Sequence, residues 1–306
     1  MTSPSTSRVP PVVWPAGVTS HVIDLDGPVH HLNFGGPPGA PVVLAVHGLG
    51  GSALNWGLVG PLLTGTFRVL AVDLFGHGRS GLPAGRGGLA ADLSMLHRFL
   101  TEVIGEPTVM VGHSMGGVVA LRYTAEHPGQ VTRLAVLSPP VPRTTGRTDR
   151  ALLARRAFLR LPGVSAVVRR KLGRLTAEQV VEQQLRQATP HRGRLRAEAV
   201  AASVAETELR QRRADANRAH AVQWAGILDT MALLGSARAW RETLAGIAVP
   251  TLWLHGGDDP MSDPAHASAL AATRPDWSFQ LRQGVGHLLA MEDPSWTAAQ
   301  LRAWCE

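Results

Sequence analysis

The stretch Val109-Met110-Val111-Gly112-His113-Ser114-Met115-Gly116-Gly117-Val118-Val119-Ala120 decides the fold. A short β-branched run enters a Gly-x-Ser-x-Gly turn and leaves as an Ala- and Leu-bearing helical segment, so the serine sits between strand and helix. The bare five-residue pattern arises by composition in roughly one chain in five of this size, so the flanks carry the inference. A serine held at such a turn projects its hydroxyl over the sheet edge. Side chains two positions before and after it would collide as the helix packs on the strand, and Gly112 and Gly116 remove them.

Working outward, the same grammar repeats. Pro41 to Val46 and Phe67 to Val72 are continuous apolar runs of the kind that parallel strands show when both faces are covered. The first ends in His47-Gly48-Leu49-Gly50-Gly51-Ser52, followed by helix-like spacing from Leu54 to Leu63. The second closes in Asp73-Leu74-Phe75-Gly76-His77-Gly78-Arg79-Ser80. A helical stripe spans Leu89 to Val103, and Val131 to Ser138 is the strand after the elbow helix. Upstream, His21 to Leu25 and Val29 to Phe34 alternate around Asp26-Gly27-Pro28 and predict a hairpin. Strands separated by helices of this length mean crossover units and a parallel sheet, whose active sites lie beyond the carboxyl ends of the strands. Ser114, Leu49 and Asp73 all fall at such ends.

From Pro142 the strands stop. Ala151 to Leu161, Ala177 to Gln187, Leu195 to Ala214 and Ala219 to Leu234 read as helices, with breaks at Pro162-Gly163, Pro190 and Gly193. The alternation resumes with the strand Val249 to Gly256, a helix from Pro264 to Thr273, the strand Trp277 to Leu281 and a closing helix from about His287 to Trp304. The expected organisation is a loose tail over 1–20, a first core part over 21–141, a helical cap over 142–245 and a second core part over 246–306.

Charge follows the same division. The chain carries +7 in total, made of +11 between Pro142 and Ala245 and −4 elsewhere. The arginines of the basic segment lack interleaved aromatics and a groove-binding motif, so nucleic acid is not the expected partner. Ala151 to Leu161 and Val167 to Leu172 mix apolar and basic residues. They read either as a solvated face whose Arg stems cover the cap's own core, or as a surface that attracts anionic lipid or acidic substrates. The chain has a single cysteine, Cys305, which excludes an intramolecular disulfide and a cysteine metal cluster. The histidines show no metal-binding spacing, so neither metal nor cofactor is expected. Residues 1–20 lack the apolar centre of a secretory signal and no run reaches the ~18 apolar residues of a bilayer span, so the expected compartment is cytoplasmic. Oligomeric state is not readable.

A serine hydroxyl needs a base to take its proton, and the base needs a third group to fix its tautomer. Asp258 and Asp259 lie in the turn past the strand ending at Gly256, and His287 follows in Gly284-Val285-Gly286-His287 past the last strand. With Ser114 they give the order serine, acid, histidine at three strand ends.

These motifs resemble the capped α/β-hydrolase superfamily over roughly Val22 to Trp304. The resemblance rests on His47-Gly48 with its Gly-rich tail, Asp73-x-x-Gly76-x-Gly78-x-Ser80, Gly112-His113-Ser114-Met115-Gly116-Gly117, Gly256-x-x-Asp259 and Gly286-His287. It implies a mostly parallel sheet with helices on both faces and an inserted helical cap. It selects Asp259 over Asp258 as the acid, makes the backbone amides of Leu49 and Met115 the oxyanion hole, and leaves His77, His113 and His255 to shape loops. Dehalogenases and epoxide hydrolases of this fold use an aspartate at the elbow, where this chain has Ser114. The elbow and the Asp-x-x-Gly-His-Gly-x-Ser loop look like monoacylglycerol lipases and small carboxylesterases. The expected reaction is therefore hydrolysis of a small-molecule ester through an acyl-enzyme. The alternatives are a carbon–carbon bond hydrolase of a ring-cleavage product, or a ligand-binding receptor on the same scaffold. Trp224, Leu228, Met231 and Leu234 share one side of their helix, either as acyl-pocket lining or as cap packing.

Overall fold

In a computed structural model, which describes residues 17–143 and 147–305, eight strands form one sheet in the order β1-β2-β4-β3-β5-β6-β7-β8. The strands are β1 (Thr19–Asp24), β2 (Pro28–Gly35), β3 (Val42–Val46), β4 (Arg68–Val72), β5 (Thr108–His113), β6 (Val131–Leu137), β7 (Thr251–Gly256) and β8 (Ser278–Arg282). β1 and β2 form an antiparallel hairpin at one edge, and β2 is antiparallel to β4. From β4 to β8 every pairing is parallel. Most of the expected tail lies outside the described residues, and β1 begins within it at Thr19.

The apolar runs are continuous because the sheet is covered twice. Side chains alternate faces along a strand, so Leu44, Val46, Met110, Leu134, Val136 and Trp253 feed one buried cluster. Their neighbours Val43, Ala45, Val109, Val111, Ala135, Leu137, Leu252 and Leu254 feed the other. Short helix α1 (Gly60–Leu63) and, at the chain's end, α11 (Leu289–Glu292) and α12 (Pro294–Cys305) cover the second face. The first is covered by α2 (Leu89–Arg98), α3 (Met115–Glu126), α9 (Ala237–Ala245) and α10 (Pro264–Ala271).

Between β6 and β7 the described residues form no further strand, and the chain runs through α4 (Arg150–Leu159), α5 (Val164–Leu172), α6 (Ala177–Ala188), α7 (Ala197–Arg212), α8 (Ala216–Gly235) and α9. The segment expected to form the cap holds two kinds of helix. α4 to α8 pack largely on one another, whereas α9, which the sequence pattern did not single out, returns to the sheet. Its Trp240 and Leu244 join the core, and Arg122 of α3 donates to Thr243 Oγ1 at 3.0 Å.

Two expected helices are broken. Leu54 to Leu63 divides into a 3₁₀ turn, Ala53–Trp56, capped by Gly57, and α1, in whose first turn Pro61 has no N–H to give to the preceding turn. The closing helix divides at Asp293, which precedes Pro294 and is driven out of helical geometry (φ −142°, ψ 66°). His287 therefore sits on a loop ahead of α11. The helix expected from Leu89 to Val103 continues past α2 as a π-helical turn, Phe99–Ile104, and stops at left-handed Gly105.

Candidate active site

β5 runs into the elbow, and Ser114 has φ 53° and ψ −124°, a left-handed conformation that a side chain other than glycine adopts only under constraint. The constraint is visible in its neighbours. A Cβ on Gly112 would stand 2.4 Å from the Gly116 carbonyl oxygen, and one on Gly116 would stand 2.3 Å from the His47 carbonyl oxygen at the end of β3. Both glycines are thus required by backbone approach. The Ser114 amide donates to Leu137 O at 2.9 Å, tying the turn to β6.

His287 Nε2 lies 2.8 Å from Ser114 Oγ, and His287 Nδ1 lies 2.7 Å from Asp259 Oδ2. All three strand-end residues are therefore joined in one hydrogen-bonded chain. Asp259 is buried, and its second oxygen accepts the amides of Met261 (2.8 Å) and Ser262 (2.9 Å). Burial alone would raise its pKa, but the His287 hydrogen bond and these amides outweigh it and hold the carboxyl below its usual range. An ionised carboxylate only accepts, so the proton in that bond belongs to Nδ1, which leaves Nε2 free to accept from the serine. Asp258 points elsewhere. Its Oδ2 meets His191 Nε2 at 2.6 Å on the cap side of the turn, partly in solvent.

Two further histidines brace this chain. His113 Nε2 donates to the His287 carbonyl at 2.9 Å, and burial lowers its pKa to about 3, so it stays neutral. His255, lowered by burial as well, donates to Ser262 O at 2.9 Å and accepts from Trp253 Nε1 at 3.2 Å. The loop after β3 closes on the serine from the other side: a Cβ on Gly48 would be 2.9 Å from Ser114 Cβ. This sets Leu49 beside the elbow, while the Met115 amide, first in α3, has no partner within its own helix. His47 shapes that loop by donating to Gly48 O (2.7 Å) and accepting from the Leu74 amide (3.1 Å). Asp73 anchors the next loop, accepting from His30 Nδ1 (2.7 Å) and the amides of Ala53 (2.6 Å) and Arg79 (2.8 Å). Among the described residues no group of three or more His, Cys, Asp or Glu side chains is placed to hold a metal ion.

The family profile described as alpha/beta hydrolase fold matches residues 41–294. The chain belongs to that family. It is 27% identical over 266 residues to an uncharacterized protein of Mycobacterium bovis, covering 83% of this chain and 72% of the relative. It is 28% identical over 261 residues to an sn-1-specific diacylglycerol lipase of Mus musculus, covering 83% and 77%. Among solved structures, naproxen esterase from Bacillus subtilis superposes with a TM-score of 0.71 at 22% identity, covering 96% of this chain and 93% of that one.

In this α/β-hydrolase, helices α6 to α8 and the loops that follow them reach the loops around Ser114 at points that the sequence pattern did not identify. Arg210 Nη1 of α7 donates to Gly50 O at 2.6 Å, beside the Leu49 loop. Arg213 Nη1 donates to Ser80 O at 2.6 Å, and Gln223 Nε2 of α8 to Gly76 O at 2.6 Å. At the end of α6, Ala188 O accepts the His287 amide at 2.9 Å. Glu292, buried in α11, accepts from the Gly286 amide (2.9 Å), the Leu288 amide (2.9 Å) and Thr189 Oγ1 (2.6 Å), so it grips the backbone on both sides of His287. No motif announces Glu292; the one signal is an acid closing the apolar run Leu288-Leu289-Ala290-Met291.

Trp224, Leu228 and Met231 lie on the side of α8 turned away from its contact with the elbow. α8 approaches the elbow at Gly226, where a Cβ would be 3.8 Å from Met115 Sδ. At 100° per residue the three side chains lie roughly 140–160° around the helix from that line. The Trp224 indole donates to Leu159 O at 3.3 Å and stacks on His220, and Arg156 Nε donates to the Leu228 backbone carbonyl at 2.8 Å. Met231 and Leu234 are buried.

Proposed function

We propose that this protein hydrolyses small carboxylic esters through an acyl-enzyme formed on Ser114. The observation that carries the reading is the continuous chain from Ser114 Oγ through His287 to Asp259, with contacts of 2.8 and 2.7 Å. Ser114 Oγ attacks the ester carbonyl carbon while His287 Nε2 takes its proton, and Asp259 holds the imidazole in the receiving tautomer and stabilises the resulting cation. The amides of Leu49 and Met115 receive the oxyanion, an arrangement in which one donor is worth about 10²–10³ in rate. His287 then protonates the departing alcohol. Water enters, gives its proton to the same nitrogen and releases the acid. Relatives and structural neighbours named as lipase and esterase support the ester class, and no cofactor takes part in these steps.

Ser114→Ala removes one hydroxyl at the elbow. Turnover of acyl esters should fall by about 10⁴-fold or more, with covalent labelling by a fluorophosphonate lost and thermal stability retained. The measurement uses a panel of acyl esters of increasing chain length, with a ring-cleavage dienoate included. Turnover by the alanine variant within an order of magnitude of the parent would overturn the mechanism. Turnover confined to the dienoate would move the assignment to carbon–carbon cleavage, and binding without turnover of any member would move it to a receptor.

A further inference from the structure

The outer helices of the cap carry a surface that the proposed chemistry does not use. From Arg150 to Ala177 the chain has eight Arg and Lys residues and no Asp or Glu. α4 and α5 contribute no buried residue, and they rest with their inner sides on α8. If their arginine stems covered local apolar surface, as a solvated basic face does, the large apolar side chains would be sheltered. They are not. Phe158 is 60% exposed, Leu161 54% and Val167 69%.

These side chains flank the corner where α4 turns into α5. Leu161 N donates to Phe158 O at 3.0 Å and Val164 N to Leu161 O at 3.3 Å, turning the chain from α4 into α5, and the Trp224 indole pins the turn to α8 through Leu159 O. The stripes behind the corner mix the two chemistries. Ala151, Ala154, Arg155 and Phe158 are all exposed at spacings of three and four along α4, and Val167, Arg170 and Lys171 repeat this along α5.

The cations of this corner are also uncommitted. Arg155, Arg160, Arg170, Lys171 and Arg174 are exposed and join no ion pair among the described residues. Elsewhere in the helical segment several arginines are paired, Arg186 and Arg192 with Glu182, Arg213 with Asp215 and Arg238 with Glu242. Free cations framing an exposed apolar tip, with no acid in 28 residues, complement a surface that is anionic outside and apolar beneath.

We propose that the α4–α5 corner docks the protein on anionic lipid, with Phe158, Leu161 and Val167 entering the boundary between headgroups and acyl chains while the flanking cations meet lipid phosphates. Docking of this kind holds the hydrolase at an interface and draws on two independent interactions. Each cation near an anionic bilayer strengthens association about fivefold, and this part is screened by salt. The apolar part is not screened.

The test is sedimentation of the full chain, carrying Ser114→Ala so that no lipid is consumed, with vesicles of phosphatidylcholine alone or with one third phosphatidylglycerol. Association should require phosphatidylglycerol and weaken as salt rises. Phe158→Ser with Val167→Ser should lower it about tenfold or more, since two apolar side chains no longer enter the bilayer. Arg170→Glu with Lys171→Glu should abolish it. Introduced in the parent enzyme, both pairs should leave melting temperature and turnover of a water-soluble ester unchanged, because all four residues lie on the outer side of the cap. Equal sedimentation with neutral and anionic vesicles, or serine variants that sediment like the parent, would overturn the proposal. Equal affinity for duplex DNA with the same salt dependence would reduce the corner to a plain polybasic surface and overturn it too. Failure here leaves the ester reaction standing, since the soluble substrate needs no surface.

Discussion

Asp258 and Asp259 carry the same functional group one residue apart, and the turn after β7 gives them opposite surroundings. Asp259 is enclosed by two amides and His287, while Asp258 meets His191 partly in solvent. Asp259→Asn should lower kcat by about 10⁴, because the amide favours the wrong imidazole tautomer, and Asp258→Asn should change it by less than about threefold. The reverse ranking in kcat would assign the acid to Asp258. The residue chemistry left both aspartates open; only the resemblance chose between them, since turn geometry, not residue type, decides which carboxylate faces inward. Glu292 was not legible at all, because an acid after an apolar run reads as a helix surface until the loop folds back over it. Glu292→Ala would strand the buried amides of Gly286 and Leu288 and loosen His287. At temperatures well below melting, kcat should fall about ten- to a hundredfold while KM stays within about twofold. A variant with lowered stability and unchanged kcat would make Glu292 structural only.

At the scale of elements, legibility depended on how many sides of an element are buried. β3, β5 and β7 are buried along their whole length, so their apolar runs had one interpretation. The serine elbow and the His loop were equally plain, because their glycines answer to backbone contacts that no other residue permits. α8 was ambiguous for the complementary reason: one side meets the elbow at Gly226, the other meets α4 at Trp224, and an apolar stripe does not say which side faces the substrate. Trp224→Ala should therefore cost about 2–3 kcal/mol of stability, somewhat less than for a fully buried indole, and loosen the α4–α5 corner. Chain-length preference across the ester panel should be unchanged. A shift in preference at full stability would return Trp224 to the acyl pocket. The breaks at Gly57 and Pro294 lay in the sequence as well, yet helix spacing on either side outweighed them in the reading.

For the whole molecule, buried carboxylates contribute to how stability depends on pH, and they do not all act in the same direction. Asp73 and Asp259 are held below their usual pKa by hydrogen bonds that outweigh burial, so each adds stability that is lost as pH falls through its folded value. Asp92 in α2 is the opposite case. Burial pushes its pKa up to about 8, with the nearby Asp229 charge adding to the effect and only the Phe75 amide, at 3.2 Å, acting against it. The folded chain thus keeps a proton on Asp92 that the unfolded chain releases near pH 3.8. Unfolding releases that proton throughout the interval, so the contribution of Asp92 declines as pH rises from about 4 to about 8 and is constant above. Asparagine keeps an oxygen for the Phe75 amide and has no proton to lose. The stability difference between Asp92→Asn and the parent should therefore be smallest near pH 4 and move in favour of the variant up to pH 8, by an amount on the order of a few kcal/mol. Denaturant titrations at pH 4, 6 and 8 read this directly. A difference that stays constant across the three would mean that Asp92 ionises in the folded protein as it does in water, and that the packing around α2 admits a buried charge.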